Sequence, residues 1–376
     1  MSGDLEVREI TGTGRELQQF IRFPWRIYRG LYPHPNWVPP LLSAEKALLD
    51  KSRSPFFEHG DAAYFMAFLE GRPVGRIAGI VNDLHVEFQR EEAGFFGFFE
   101  TVQDQAVTDA LVGRAADWVR ERGLKTMRGP MNFSTNETCG LLVDGFDEPP
   151  TIMMTYNPPW YETQLLTAGL EPVKLLLSYF IQADSDIERI IRIARKAQEK
   201  AGVEMRALDM SRFEEEVDLV KGIYNEAWER NWGFVPMTDA EFDHLAKDLK
   251  PVVDPDFVKI ASIEGEPVGF SLTVPDVNQV LIDMNGRLFP FGWIRLLLGL
   301  KRIDVARVIA LGVKKEYQGI GLGSMFYADA FDVARRKGYR GGEASWILED
   351  NTDMRKPMEA MSAEVNKRYR VYDLAL

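Results

Sequence analysis

The sequence predicts an α/β fold built twice in tandem, each copy a mixed sheet flanked by helices. Tyr64–Gly75 (YFMAFLEGRPVG) and Val258–Gly269 (VKIASIEGEPVG) share a strand, an acidic-Gly turn and the start of a second strand, with six of twelve positions identical at an offset of 194 residues. Arg122–Asn136 (RGLKTMRGPMNFSTN) and Lys337–Asn351 (KGYRGGEASWILEDN) repeat a second layout of helix end, Gly cap, strand and Asn, offset by 215. Two echoes in the same order, drifting by 21 residues that loop insertions can absorb, mark a duplication. The 376-residue chain also exceeds the usual size of one core. The domains are expected at 1–182 and 183–376.

The second copy spells out its elements. Val203 to Asp209 suggests a strand, and Phe213 to Arg230 and Asp239 to Leu249 suggest amphipathic helices with acidic first turns, which suit the helix dipole. The hairpin follows. Arg307 to Val313 (RVIALGV) reads as a buried strand, Gln318 to Gly323 (QGIGLG) as a glycine turn, and Ser324 to Lys337 as a helix ended by Gly338. Glu343 to Leu348 is a further strand, Thr352 to about Asn366 a helix, and Tyr369 to Leu374 the closing strand. Ser185 to Lys200 is a basic amphipathic helix that either starts the second domain or connects the two.

Composition narrows the function. Lys plus Arg number 45 against 57 Asp plus Glu, a net charge of −12, which argues against a nucleic-acid partner. An anionic ligand must therefore be held locally. Cys139 is the only cysteine, so there is no internal disulfide and no cysteine cluster for zinc, and no metal constellation is expected. The N-terminus lacks a signal-peptide pattern and no apolar run reaches a spanning length, so a cytoplasmic location is expected.

The glycine turn carries the chemistry. A strand that runs into a glycine turn and then a helix offers unpaired backbone N–H groups, reinforced by the helix dipole, to an anion such as a pyrophosphate. Gly321 and Gly323 let the backbone approach closely, and Ser324 adds a donor. A bare glycine-capped helix start with no ligand is the alternative. A nucleoside-triphosphate loop is excluded because no lysine precedes Ser324, and the glycine spacing does not match a dinucleotide fingerprint.

With that turn the segment Ala310–Phe326 (ALGVKKEYQGIGLGSMF) resembles the acetyl-CoA site of the GNAT superfamily, and ASWILEDN, the following helix and KRYRVYDL resemble its later strand, Asn-initiated helix and closing strand. The resemblance covers about residues 203–376, and the internal repeat extends it to the first domain. It implies sheets that are partly splayed, with acyl-CoA or acetyl-CoA as a co-substrate rather than a resident cofactor. It implies that the pyrophosphate lies on Gln318, Gly319, Ile320, Gly321, Leu322, Gly323 and Ser324, that Leu311 and Val313 pair with the pantetheine arm, and that Asn351 sits beside its thiol end. Asn351 is equally well read as a helix N-cap.

Amine attack on a thioester needs a neutral amine, a donor to the developing oxyanion and a proton for the thiolate. The resemblance gives the oxyanion donor as the backbone N–H near Val313. Glu343, on the face of Ser345 and Ile347 by period two, is the leading proton acceptor, with Glu349 and Asp350 as rivals and a surface glutamate as the plain alternative. Where relatives carry a tyrosine as thiolate donor this chain has Met358, which leaves Tyr317, Tyr327, Tyr369 and Tyr372 as candidates, Tyr317 foremost.

The first copy is expected to be degenerate. Its counterpart to the turn, Glu100 to Ala110 (ETVQDQAVTDA), has no glycine, while Gly129–Glu137 and Tyr156–Tyr161 either line an acceptor site or make turns and core. Leu288 to Leu300 (LFPFGWIRLLLGL), followed by Lys301-Arg302, is either a buried helix or an interfacial anchor, with Phe289, Trp293 and Leu297 as substrate or membrane contacts. Phe95–Phe99 (FFGFF) is a candidate for further apolar surface. Joined to the tandem architecture, the apolar segment makes the chain similar to the ceramide synthase-like acyltransferases of bacteria. That similarity implies a sphingoid-type amine acceptor and peripheral contact with the inner face of the cytoplasmic membrane. Acetyl transfer to a small polar amine and a noncatalytic CoA-binding regulator are the rival readings.

Overall fold

The computed structural model describes residues 4–229 and 231–376; Met1–Gly3 and Arg230, the predicted end of the helix from Phe213, lie outside them. The chain packs as two compact units, the first running to Leu175 with Leu281–Arg295 and Tyr369–Leu376, the second comprising Leu176–Val280 and Leu296–Arg368. A single cut at 182/183 does not describe this division, because the chain changes unit within two twelve-residue strands, Glu171–Gln182 and Glu364–Ala375.

In the first unit, β1 (Leu5–Ile10), β2 (Gly60–Leu69), β3 (Arg72–Asn82) and β4 (Ala93–Thr101) are successive antiparallel neighbours. β4 then runs parallel to β5 (Thr126–Gly129), and Tyr372–Ala375 pairs with β5 on its far side. A short β6 (Leu141–Asp144) follows in the chain. The helix Gln105–Arg120 covers this sheet because Val107, Leu111, Ala115 and Val119 recur at helical spacing and pack with Phe65, Ile77 and Phe96. Burying a side chain such as Leu111 contributes roughly 2–3 kcal/mol. Phe95–Phe99 lies wholly inside β4 with both faces covered, so it supplies core and no apolar surface.

The second unit repeats the plan. β7 (Glu171–Gln182), β8 (Val203–Ala207), β9 (Val258–Ile263), β10 (Glu266–Pro275), β11 (Val305–Val313), β12 (Gly341–Leu348) and β13 (Glu364–Ala375) follow in the chain. Side by side the order is β7-β12-β11-β10-β9-β8, with only β11 and β12 parallel. The helix Asp239–Leu249 starts on a reciprocal capping box between Thr238 and Glu241. The last predicted helix, expected to reach about Asn366, is shorter. It spans Thr352–Ala360 with Pro357 inside it, stops before a left-handed Ser362 (φ 59°), and yields to β13 at Glu364.

One feature of both sheets positions the site. β4 and β5 pair only as far as Phe95↔Arg128, and β11 and β12 only as far as Val308↔Ala344, after which the strands diverge. Each sheet is therefore mixed, open and splayed at its centre.

Candidate active site

The opening between β11 and β12 is a cleft of ≈ 500 Å³. Leu311 and Val313 form one wall, and Trp346, Ile347 and Leu348 the other. Beyond β11, a single 3-10 turn (Lys315–Tyr317) leads into the glycine turn, whose Gln318, Gly319, Gly321, Leu322, Gly323 and Ser324 line the cleft. Gly319 (φ 92°) and Gly321 (φ 89°) occupy the left-handed region, where a side chain costs of order 1 kcal/mol or more. Gly321 is the N-cap of the fifteen-residue helix Leu322–Arg336, and no side chain caps it. The first intrahelical bond comes from the Met325 N–H to the Gly321 carbonyl (3.1 Å), so the N–H groups of Leu322 to Ser324 face outward without helical acceptors. A Cβ built on Gly319, Gly321 or Gly323 would meet nothing within 4 Å, which leaves room for an anion against the backbone. Lys356 adds a cation to the lining. Ile320 points away, 37% exposed.

The corresponding place in the first unit is closed. The helix Gln105–Arg120 carries its own anion, since the Asp104 side chain accepts the Ala106 N–H (3.0 Å). The opening between β4 and β5 is filled by the chain itself. The Met131 N–H donates to the Phe96 carbonyl (2.8 Å), Asn132 Oδ1 accepts the Phe98 N–H (2.8 Å), and Phe133 stacks on Phe56 with ring centroids 4.4 Å apart.

A family model described as "Acetyltransferase (GNAT) family" matches residues 217–356, which hold the cleft and its turn. Over 382 residues the sequence is 37% identical to bacterial ceramide synthase of Caulobacter vibrioides, covering 100% of this chain and 98% of that one. The chain belongs to the GNAT acetyltransferase family. A second full-length relative, protein YghO of Escherichia coli, is 35% identical over 370 residues, 95% of this chain and 92% of the other. Among solved structures, a tandem GNAT protein from the clavulanic acid biosynthesis pathway shares the fold, with a TM-score of 0.56 and 12% identity over 99% of this chain and 98% of that one.

This GNAT acyltransferase brings some of its sequence-predicted site residues together and separates others. Tyr317 and Asn351 line the cleft with the turn. Asn351 is also an N-cap, its Oδ1 accepting the Met354 N–H (3.2 Å), as one of its two sequence readings expected. The carbonyls of Leu311 and Val313 are already occupied. Trp228 Nε1 donates to the first (3.1 Å) and Gln318 Nε2 to the second (3.1 Å), so a ligand pairing with β11 would share these carbonyls with a side chain, displace it or use the N–H groups.

Glu343 does not line the cleft. It is buried, accepting from Ser345 Oγ (2.7 Å), Asn366 Nδ2 (3.2 Å) and Lys367 Nζ (3.3 Å). Strand alternation misplaced it because the β12 ladder is irregular between Ala344 and Ile347, which breaks the period that would join Glu343 to the Ile347 face. Arg307 completes the group, with Nε on Ser345 Oγ and an Nη on its carbonyl (both 2.8 Å), where β11 and β12 part. Sequence reasoning missed this clamp and Trp228, whose partner Leu311 lies 83 residues away. The tyrosine Tyr327 turns its hydroxyl toward Met354 Sδ (3.8 Å), and Met358 packs with it around a small apolar void.

Proposed function

We propose that this enzyme transfers a fatty acyl group from acyl-CoA directly to a lipophilic, sphingoid-type primary amine. The full-length 37% identity to a bacterial ceramide synthase carries the choice of acceptor. The cleft geometry supports the donor: the pyrophosphate rests on the outward N–H groups from Gly321 to Ser324, with Lys356 nearby, and the pantetheine and thioester extend between β11 and β12.

In this reading the amine arrives neutral and attacks the thioester carbonyl. The C–N bond forms to give a tetrahedral oxyanion, the nitrogen gives its proton to water in the cleft, and the oxyanion collapses with cleavage of the C–S bond, so that CoA leaves as thiolate. The backbone N–H near Val313 meets the developing oxyanion, Asn351 orients the thiol end, and Tyr317 protonates the thiolate. Glu343 acts at one remove, as the buried partner that holds Ser345 and Lys367 beneath the diverging strands. Acyl-CoA is a consumed co-substrate. A bilayer-held acceptor entails peripheral contact with a membrane face.

The test is to incubate the protein with acyl-CoAs of graded chain length and a mixed amine panel that includes sphingoid bases, then identify products by mass. Long-chain N-acyl sphingoid products are expected. Preference for acetyl-CoA with polar amines would replace the lipid acceptor by a small polar one, and no release of CoA thiol with any pair would contradict catalysis altogether.

A further inference from the structure

The segment before β11 departs from the rest of the surface in two ways at once. It runs through residues 288–291 into the helix Gly292–Leu300, and its large apolar side chains point into solvent: Phe289 is 81% exposed, Phe291 74%, Leu297 57% and Leu298 64%, with Trp293 and Ile294 also exposed. Ile294, Leu297 and Leu298 recur at the three- and four-residue spacing that makes one helix face, and the two phenylalanines precede it in the loop. Contiguous apolar surface of this kind is rare on a soluble monomer without a partner.

Its charge is the second departure. Residues 284–303 hold Arg287, Arg295, Lys301 and Arg302 and no Asp or Glu, although 57 acidic residues in 376 would place about three in any twenty. All four cations are exposed. Between Asp283 and Asp304 a strongly acidic protein thus has one short stretch that carries its most exposed hydrophobic residues, four cations and no acid. A buried interface between like copies does not call for that, and neither does a polar protein partner. Its complement is a surface that is oily beneath and anionic on top.

The underlying loop is fixed, which lets the segment present these groups rather than trail. Asn285 Oδ1 accepts from Trp25 Nε1 (2.7 Å), the Gly286 carbonyl from the Leu42 N–H (3.0 Å), and the Asp283 carbonyl from Arg295 (2.9 Å). Trp293 Nε1 donates to the Pro290 carbonyl (3.1 Å), so the indole can enter an apolar layer with its polar group satisfied.

We propose that residues 287–302 are a monotopic membrane-docking element that inserts Phe289, Phe291, Leu297 and Leu298 into one leaflet of an anionic phospholipid bilayer, with Arg287, Lys301 and Arg302 on its headgroups. Among the described residues no helix is long and apolar enough to cross a membrane, so the element lies in the interface. It deepens the lipophilic-acceptor reading by naming where that acceptor is met, but it is read without acyl-CoA or amine. Failure of one therefore leaves the other standing.

The full-length protein should co-sediment with vesicles of phosphatidylcholine containing a third phosphatidylglycerol, and at least tenfold less with phosphatidylcholine alone. Each cation at such a surface adds roughly fivefold to partition, so Lys301→Gln with Arg302→Gln should weaken anionic-vesicle binding by more than tenfold and leave the weak binding to neutral vesicles unchanged. Phe289→Asp with Phe291→Asp and Leu298→Asp should abolish both. These side chains are exposed, so thermal unfolding should not shift. Absence of vesicle binding at low salt would overturn the proposal, as would a concentration-dependent dimer that the triple variant disperses.

Discussion

Gly323 offers the sharpest test of the turn, because an added side chain there meets open space and no left-handed backbone. An aspartate at this second helical position should leave stability unchanged or raise it by about 0.3–1 kcal/mol through the helix dipole. The same carboxylate would stand where the pyrophosphate is proposed to rest, so Gly323→Asp should cut CoA affinity at least a hundredfold by calorimetry. Glu343 behaves in the opposite way. With Lys367 buried beside it at 3.3 Å, Glu343→Gln breaks a buried ion pair and should cost about 3 kcal/mol in denaturant unfolding, part of which Lys367→Met in the same chain should restore. The turn was legible in sequence because its residues are contiguous and each glycine has a local reason. Glu343 was not, since the irregular ladder at Ala344 and the partner at Lys367 exist only once β12 and β13 are folded.

Helix starts and strand pairs explain why the two copies of one plan differ. The helix that begins at Leu322 has a bare glycine cap, whereas its counterpart from Gln105 is capped by Asp104 and backed by Met131 to Phe133 in the strand opening. Asp104→Ala should therefore cost about 1 kcal/mol of stability without creating a second CoA site, as thermal unfolding and CoA titration would show. The lack of glycine in ETVQDQAVTDA announced the loss of the turn. It did not announce that the chain plugs the opening with its own backbone. Helix and strand types were readable from periodicity, and the element that misled was the last helix, which stops at Ala360 before a left-handed Ser362 and leaves the strand from Glu364 to take over.

Across the molecule, duplication has left one unit with the open cleft and the other with a buried polar core. In the latter, Glu100 accepts hydrogen bonds from Tyr28 (2.7 Å) and Tyr161 (2.9 Å), and burial pushes its carboxyl up to about 7 despite the nearby Arg76 guanidinium. A carboxyl raised in the fold stabilises it most below the unfolded value near 4.5, and the contribution is lost as pH rises through 7. The loss is about 3 kcal/mol. Thermal unfolding of the full chain should fall more steeply between pH 5 and pH 8 in the wild type than in Glu100→Gln. The internal echoes revealed the two copies, but no local signal marked the residue exchange by which Tyr369–Leu376 joins the first unit. One acyl-CoA is proposed to bind per chain, on the turn Gln318–Ser324. Calorimetric titration of the full chain with a long-chain acyl-CoA, beside Gly323→Asp, should find one site per chain in the wild type and none in the variant; two sites, or undiminished binding by the variant, would contradict a single site on this turn.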